Sequence, residues 1–139
     1  MKPLKKILLA EDDEDDRMIF DDIIEQLKTE DDFTFCAVDN GLKVIQLLGQ
    51  LEVSELPDLV ILDQNMPQMN GKEALGLLKD DPRWQHIPVV IYSTFNDVKL
   101  AATCLEMGAD QVITKPDSYE GFNAVISQLV GKYLFKRAQ

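Results

Sequence analysis

Polar side chains that could bind a cation and a phosphate follow four apolar runs of this chain. They are Glu11 and Asp12 after residues 6–10, Asp63 after 58–62, Ser93 and Thr94 after 89–92, and Lys115 after 111–114. Carboxylates brought within about 4 Å of one another repel by roughly 4 kcal/mol per pair at an effective dielectric near 20. A hard cation such as Mg²⁺ would offset this repulsion, because it prefers carboxylate, carbonyl and water oxygens as ligands. Lys115 could add positive charge or bind a phosphoryl oxygen, and Ser93 could donate its hydroxyl to another.

The elements that must position these residues alternate between short apolar runs and helix-periodic segments. Strands are predicted at 6–10, 33–38, 58–62, 89–92 and 111–114, and helices at 16–28, about 42–48, 72–79, 97–107 (capped by Asn96 or Asp97) and 119–135. Right-handed crossovers between parallel strands place helices on both faces of a sheet. The pattern predicts an α/β fold with a doubly wound, five-stranded parallel sheet in the flavodoxin-like order 2-1-3-4-5.

In such a sheet, ligands bind beyond the carboxyl ends of the strands, near the point where the strand order reverses. Three carboxylates, two hydroxyls and one ammonium group are therefore expected to meet at one edge. The neighbouring Asp13, Asp15 and Asp16 are expected to cap the first helix or to place favourable charge at its N-terminus.

The composition of the chain argues against several classes of function. The 139 residues fit one domain, predicted to span 1–139 with no output domain. A net charge of −11 argues against nucleic-acid binding, which needs a basic surface. The apolar run 7–10 is too short for a secretory signal or a membrane span, which predicts a cytoplasmic protein without a membrane partner. Cys36 and Cys104 lack metal-site spacing and are predicted to be buried, reduced thiols.

Several motifs, taken in order, resemble the receiver domains of two-component response regulators, and in particular stand-alone receivers of the chemotaxis-regulator kind. They are Glu11-Asp12, Leu62-Asp63-Gln64-Asn65-Met66-Pro67, Asn70-Gly71, Ser93-Thr94 and Lys115-Pro116. Each motif is weak alone, but the ordered set at the ends of the predicted strands is specific. The resemblance covers about residues 5–130.

The resemblance implies that Asp63 is the phosphoacceptor and attacks the phosphohistidine of a sensor histidine kinase or histidine phosphotransfer protein. It implies a bound Mg²⁺ or Mn²⁺ with Asp12 and Asp63 as ligands. Glu11 would hold a metal-bound water, and Asn65 would contribute its backbone carbonyl. The only catalysis implied is the protein's own aspartyl phosphorylation and dephosphorylation, so it is not expected to be an enzyme with a separate substrate.

The resemblance also implies roles for the ends of the last two strands. Ser93 would be the switch hydroxyl that closes on the phosphoryl group, with Thr94 as a further candidate. Lys115 would hold the phosphoryl group through its charge, and the Lys115–Pro116 peptide bond would be cis. Output would occur through a partner protein that binds the face formed by the fourth helix, fifth strand and fifth helix.

Two positions depart from the family pattern. Val112 stands in the fifth strand where many receivers carry Tyr or Phe, which puts an aromatic switch in doubt. Phe95 stands two residues after Ser93, where many relatives are polar. We hypothesise that Phe95 shields the phosphoryl group from water and slows its hydrolysis.

Three alternatives remain at this stage. A phosphorelay intermediate would pass the phosphoryl group on to another histidine. A phosphatase of the haloacid dehalogenase type also uses an aspartyl nucleophile, but it places a second Asp where this chain has Asn65. A flavin-binding module is disfavoured because the acidic run after the first strand would repel phosphate.

Overall fold

One parallel sheet organises the protein. The structure is a computed structural model that describes residues 4–29, 32–94 and 97–135. The strands are β1 (Lys6–Ala10), β2 (Thr34–Val38), β3 (Leu59–Asp63), β4 (Val89–Ser93) and β5 (Gln111–Thr114). All neighbouring strands are parallel, and their order β2-β1-β3-β4-β5 confirms the predicted topology.

Helices cover both faces of this sheet. They are α1 (Glu14–Leu27), α2 (Gly41–Gln50), α3 (Gly71–Asp80), α4 (Val98–Met107) and α5 (Tyr119–Val130), with a 3₁₀ turn at Val53–Glu55 and a π-helical turn at Gly131–Phe135. One apolar core lies under α1 and α5, and the other lies under α2, α3 and α4. Among the described residues, no helix combines the length and the apolar character that crossing a bilayer requires.

The position of β3 in the centre of the sheet explains why its sequence is continuously apolar. Leu59 and Ile61 enter the core under α1 and α5, whereas Val60 and Leu62 enter the opposite core. Every residue of β3 is buried, including Asp63 at its carboxyl end. A strand covered on both faces has no solvent side that would call for polar residues.

Side-chain caps fix where the helices begin. Asp13 accepts hydrogen bonds from the backbone N–H groups of Asp15 and Asp16, so α1 begins at Glu14, two residues before the predicted start. Asp97 caps α4, as one of the two predicted candidates. The early start of α1 brings the N-terminal turn of the helix close to the carboxyl end of β1.

The prediction for one cysteine was wrong. Cys104 on α4 is buried, but Cys36 on β2 is exposed, and both thiols are free. β2 is an edge strand that is less covered than the central strands, and three of its five residues are exposed. An apolar sequence run therefore did not guarantee burial at the edge of the sheet.

Candidate functional site

Three carboxylates meet at the carboxyl edge of the sheet. Glu11, Asp12 and Asp63 each offer an oxygen that lies within 4.8 Å of those of the other two. β1 and β3 are hydrogen-bonded neighbours, with Ala10 paired to Leu62. Glu11, which follows β1, and Asp63, the last residue of β3, therefore emerge side by side. Glu11 and Asp63 are buried, at 0% and 1% exposure, whereas Asp12 lies at the exposed rim.

The ammonium group of Lys115 lies among these acids. Lys115 Nζ is 2.9 Å from Glu11 Oε1, 2.9 Å from Asp16 Oδ2 and 3.4 Å from Asp63 Oδ2. The Lys115 backbone N–H donates to the Ser93 carbonyl at 2.8 Å, which fixes the start of this segment beside β4. The ion pair with Asp16 was missed, because the sequence suggested only helix-end roles for that residue.

The buried Glu11 carboxylate has hydrogen bonds on both oxygens. Oε1 accepts from the Tyr92 hydroxyl and contacts Lys115, and Oε2 accepts from the Asp13 backbone N–H at 3.0 Å. From the sequence, Tyr92 was predicted only as part of a strand. The available signal was its hydroxyl, because a tyrosine in a strand buried on both faces needs a polar partner.

Burial and mutual repulsion move the pKa values of the two buried acids, Glu11 and Asp63, apart. Burial, together with the hydrogen bond and charge of Glu11, raises the pKa of Asp63 to about 8. Burial alone would raise the pKa of Glu11, but hydrogen bonds from Asp63, Tyr92, Asp13 and Lys115 outweigh it and lower that pKa. Below about pH 8 the two acids therefore share one proton, and Asp63 is the acid that retains it.

The other predicted site residues differ in exposure. Ser93 is buried at the end of β4, whereas Thr94, next in the chain, is exposed. Asn65 is exposed, and its backbone N–H donates to Asp63 Oδ1 at 3.1 Å. Phe95, for which a shielding role was hypothesised, lies outside the described residues.

The predicted cis bond between Lys115 and Pro116 was wrong. The described chain contains no cis peptide bond, so this bond is trans. Peptide bonds before proline keep a preference of about 0.5–1 kcal/mol for the trans form. The trans bond still leaves Lys115 Nζ among the three carboxylates.

Gly71 lets the first turn of α3 approach the carboxyl end of β3, where Asp63 lies. A Cβ at this position would lie 2.8 Å from the Asp63 carbonyl oxygen and 3.1 Å from Gln64 Cα. Gly71→Ala is therefore expected to lower the free energy of unfolding by about 1–3 kcal/mol, because both close neighbours are backbone atoms. Urea denaturation monitored by circular dichroism measures the change.

Gly49 in α2 provides the matched control, because a Cβ there meets nothing within 4 Å. Gly49→Ala is expected to leave the stability unchanged or to raise it slightly, since alanine is the better helix former. Equal effects at the two positions would contradict the steric explanation.

Comparisons with known proteins agree with this geometry. The family model for the response regulator receiver domain matches residues 7–126. Two-component response regulator ORR5 from Oryza sativa subsp. japonica is 35% identical over 111 residues, covering 79% of this chain and 77% of ORR5. Histidine kinase P4 from Formosa agariphila is 30% identical over 129 residues, but the match covers 93% of this chain and only 9% of the kinase.

A solved structure extends the comparison to three dimensions. The Mn(2+)-bound form of response regulator Rcp1 superposes with a TM-score of 0.83 at 26% identity, covering 96% of this chain and 97% of Rcp1. The family match spans β1 to α5 and so includes every residue of the acidic cluster and Lys115. This chain belongs to the response regulator receiver domain family.

Proposed function

We propose that Asp63 accepts a phosphoryl group from the phosphohistidine of a histidine kinase or histidine phosphotransfer protein, and that the phosphorylated form signals by binding a partner protein. The observation that carries this proposal is the environment of the Asp63 carboxylate. It is buried beside Glu11, within 4.8 Å of oxygens of Glu11 and Asp12, and 3.4 Å from Lys115 Nζ. Membership of the receiver family supports the same reading.

The donor set fits a hard divalent cation, Mg²⁺ or Mn²⁺. Asp12 and Asp63 would bind it directly, Asn65 through its carbonyl, and Glu11 through a water. The crowded carboxylates would be costly without a counter-charge, and all the donors are oxygens, which suit Mg²⁺. A bound cation would neutralise charge that develops on the transferring phosphoryl group. The Mn(2+)-bound form of Rcp1 supports a divalent cation in this family.

The protein's own side chains would carry out the transfer. A carboxylate oxygen of ionised Asp63 attacks phosphorus, the new P–O bond forms, and the bond from phosphorus to the donor imidazole nitrogen breaks. Lys115 would turn toward a phosphoryl oxygen, and Ser93 or Thr94 would donate a hydroxyl to another. Such transfers depend mainly on positioning and charge stabilisation.

For the output face we propose α4, β5 and α5. Val98 and Leu105 on α4 are exposed large apolar residues that a partner could cover. A few kcal/mol of differential contact around the phosphoryl group would shift the population between two conformers of this face. The single-domain organisation over 1–139 and the cytoplasmic location remain predictions.

One experiment tests the nucleophile and the cation together. The protein is incubated with MgCl₂ and acetyl phosphate and its intact mass is measured. The wild type is expected to gain one phosphoryl group, and Asp63→Asn or the wild type in EDTA to gain none. The control variant is Asp110→Asn, which should gain a phosphoryl group like the wild type. Asp110 is an exposed residue just before β5. An adduct on Asp63→Asn, or none on the wild type, would overturn the proposal.

The same labelled protein separates switch from relay. Return of the phosphoryl group to an added histidine phosphotransfer protein would identify a relay intermediate. A phosphatase of the haloacid dehalogenase type is disfavoured, since the position of its second aspartate is held by Asn65.

A further inference from the structure

The Tyr92 hydroxyl reaches the acidic cluster from the apolar core under α1 and α5. Tyr92 is 4% exposed, and its ring lies 5.8 Å from that of Phe20 at an interplanar angle of 60°. Phe20 in turn packs edge-on against Phe122 of α5, with ring centroids 6.0 Å apart. Because this aromatic packing fixes the ring, the direction of the hydroxyl is set by the core and not by the site.

The partner of this hydroxyl is Glu11 Oε1, the oxygen that Lys115 also contacts. Glu11 is fully buried, so water cannot replace a lost donor without some opening of the site. When a buried carboxylate loses a hydrogen bond, part of the cost of its desolvation is no longer offset. The two donors on Oε1 differ in mobility: Lys115 has a long, flexible stem, whereas Tyr92 is held by its ring.

This difference matters when Lys115 turns toward a phosphoryl group. Its ammonium group contacts Glu11, Asp16 and Asp63, so a new contact with an anion requires that it leave at least one of them. If it leaves Glu11, the Tyr92 hydroxyl is the donor that remains on Oε1. Glu11 would then keep its orientation toward the cation throughout the transfer.

We propose that Tyr92 is a positioning residue that orients Glu11 for the divalent cation and keeps Glu11 Oε1 hydrogen-bonded when Lys115 moves to the phosphoryl group. The inference rests on the proposed function, to which it adds a residue. Groups that orient direct metal ligands change metal affinity by about 10- to 100-fold when they are removed, and the lower end of this range applies to Tyr92 because Glu11 would act through a metal-bound water. Tyr92→Phe, which deletes only the hydroxyl, is therefore expected to weaken Mg²⁺ binding about tenfold.

Isothermal titration with MgCl₂ measures the affinity directly, without phosphorylation. Tyr133→Phe is the matched control. Tyr133 lies in the π-helical turn, and its hydroxyl accepts a hydrogen bond from Gln111 at 2.9 Å, so deleting that hydroxyl should leave Mg²⁺ binding unchanged. With acetyl phosphate, Tyr92→Phe should require about tenfold more Mg²⁺ for half-maximal rate while reaching nearly the wild-type maximum. The loss of Mg²⁺ affinity caused by Tyr92→Phe should become larger when beryllofluoride, a phosphoryl mimic, is bound, because the mimic attracts Lys115.

A double-mutant cycle separates positioning from a general effect on packing. In the Glu11→Gln background, Tyr92→Phe should no longer change Mg²⁺ affinity, because the carboxylate through which it acts is gone. An unchanged affinity in Tyr92→Phe alone, or an equal loss in both backgrounds, would overturn the inference. A penalty that does not grow with beryllofluoride would refute the part that concerns Lys115. Failure of the wild type to gain a phosphoryl group while it binds Mg²⁺ would instead count against the proposed function.

Discussion

Lys115→Met is expected to slow phosphorylation of Asp63 by acetyl phosphate about 100-fold or more, while Mg²⁺ binding is retained or strengthened. Methionine keeps an unbranched stem but removes the charge that lies 3.4 Å from Asp63 Oδ2. Losing one preorganised group that stabilises developing negative charge typically costs about 10²- to 10³-fold in rate. The cation, by contrast, loses a competitor for the same carboxylates.

The measurement is the initial rate of mass gain at saturating MgCl₂, with Mg²⁺ affinity determined in parallel by calorimetry. Lys43→Met provides the control, because Lys43 pairs with Asp39 at 2.8 Å on the surface of α2. That variant should phosphorylate at the wild-type rate. A rate for Lys115→Met within tenfold of the wild type would show that the ammonium does not take part in the transfer.

Asp63→Asn is expected to stabilise the cation-free protein at alkaline pH, although it removes the phosphoacceptor. The pKa of Asp63 rises from 3.8 to about 8 on folding, because burial and Glu11 disfavour the charged form. Between these values the folded state binds a proton that the unfolded state has released, so stability falls as pH rises. Each pH unit over which a proton is linked in this way changes the stability by about 1.4 kcal/mol.

Urea denaturation in EDTA at pH 5, 6.5 and 8.5 follows this dependence. The difference between wild type and Asp63→Asn cancels the general effect of the protein's negative charge. Relative to the wild type, the variant should become more stable by about 4 kcal/mol between pH 5 and pH 8.5, and adding Mg²⁺ should restore most of the stability lost by the wild type alone. Asp110→Asn should show no such gain. Parallel pH curves for wild type and Asp63→Asn would rule out the shared proton.

The positions of the acidic residues could be predicted because strand ends are easy to recognise in the sequence. Asp63 follows an apolar run of the kind that is typical of a strand covered by helices on both faces. Glu11 follows a similar run in β1. In a parallel sheet, the residues after adjacent strands must emerge at the same edge. Topology alone therefore placed Glu11, Asp12 and Asp63 together, and the structure agrees.

The contacts that were missed depend on how separate elements pack. The ion pair between Asp16 and Lys115 spans 99 positions and requires the exact start of α1. The hydrogen bond from Tyr92 to Glu11 spans 81 positions and depends on which face of β4 the ring occupies. Neither contact leaves a periodic signal in the sequence. The exposure of Cys36 likewise depends on how little covers the edge strand.

The attachment of Lys115 has a consequence for the order of events in time. Its backbone amide is tied to the carbonyl of Ser93 at 2.8 Å, so the strand end stays in place while the four-carbon stem is free to reorient. Exposed side chains rotate in picoseconds to nanoseconds, whereas collective motions and helix shifts take microseconds to milliseconds. The Lys115 side chain is 13% exposed, and it reorients once its ion pairs break. The ammonium can thus settle on a new anion long before the surrounding backbone responds, and the chemical step and the conformational signal become separable in a fast kinetic experiment.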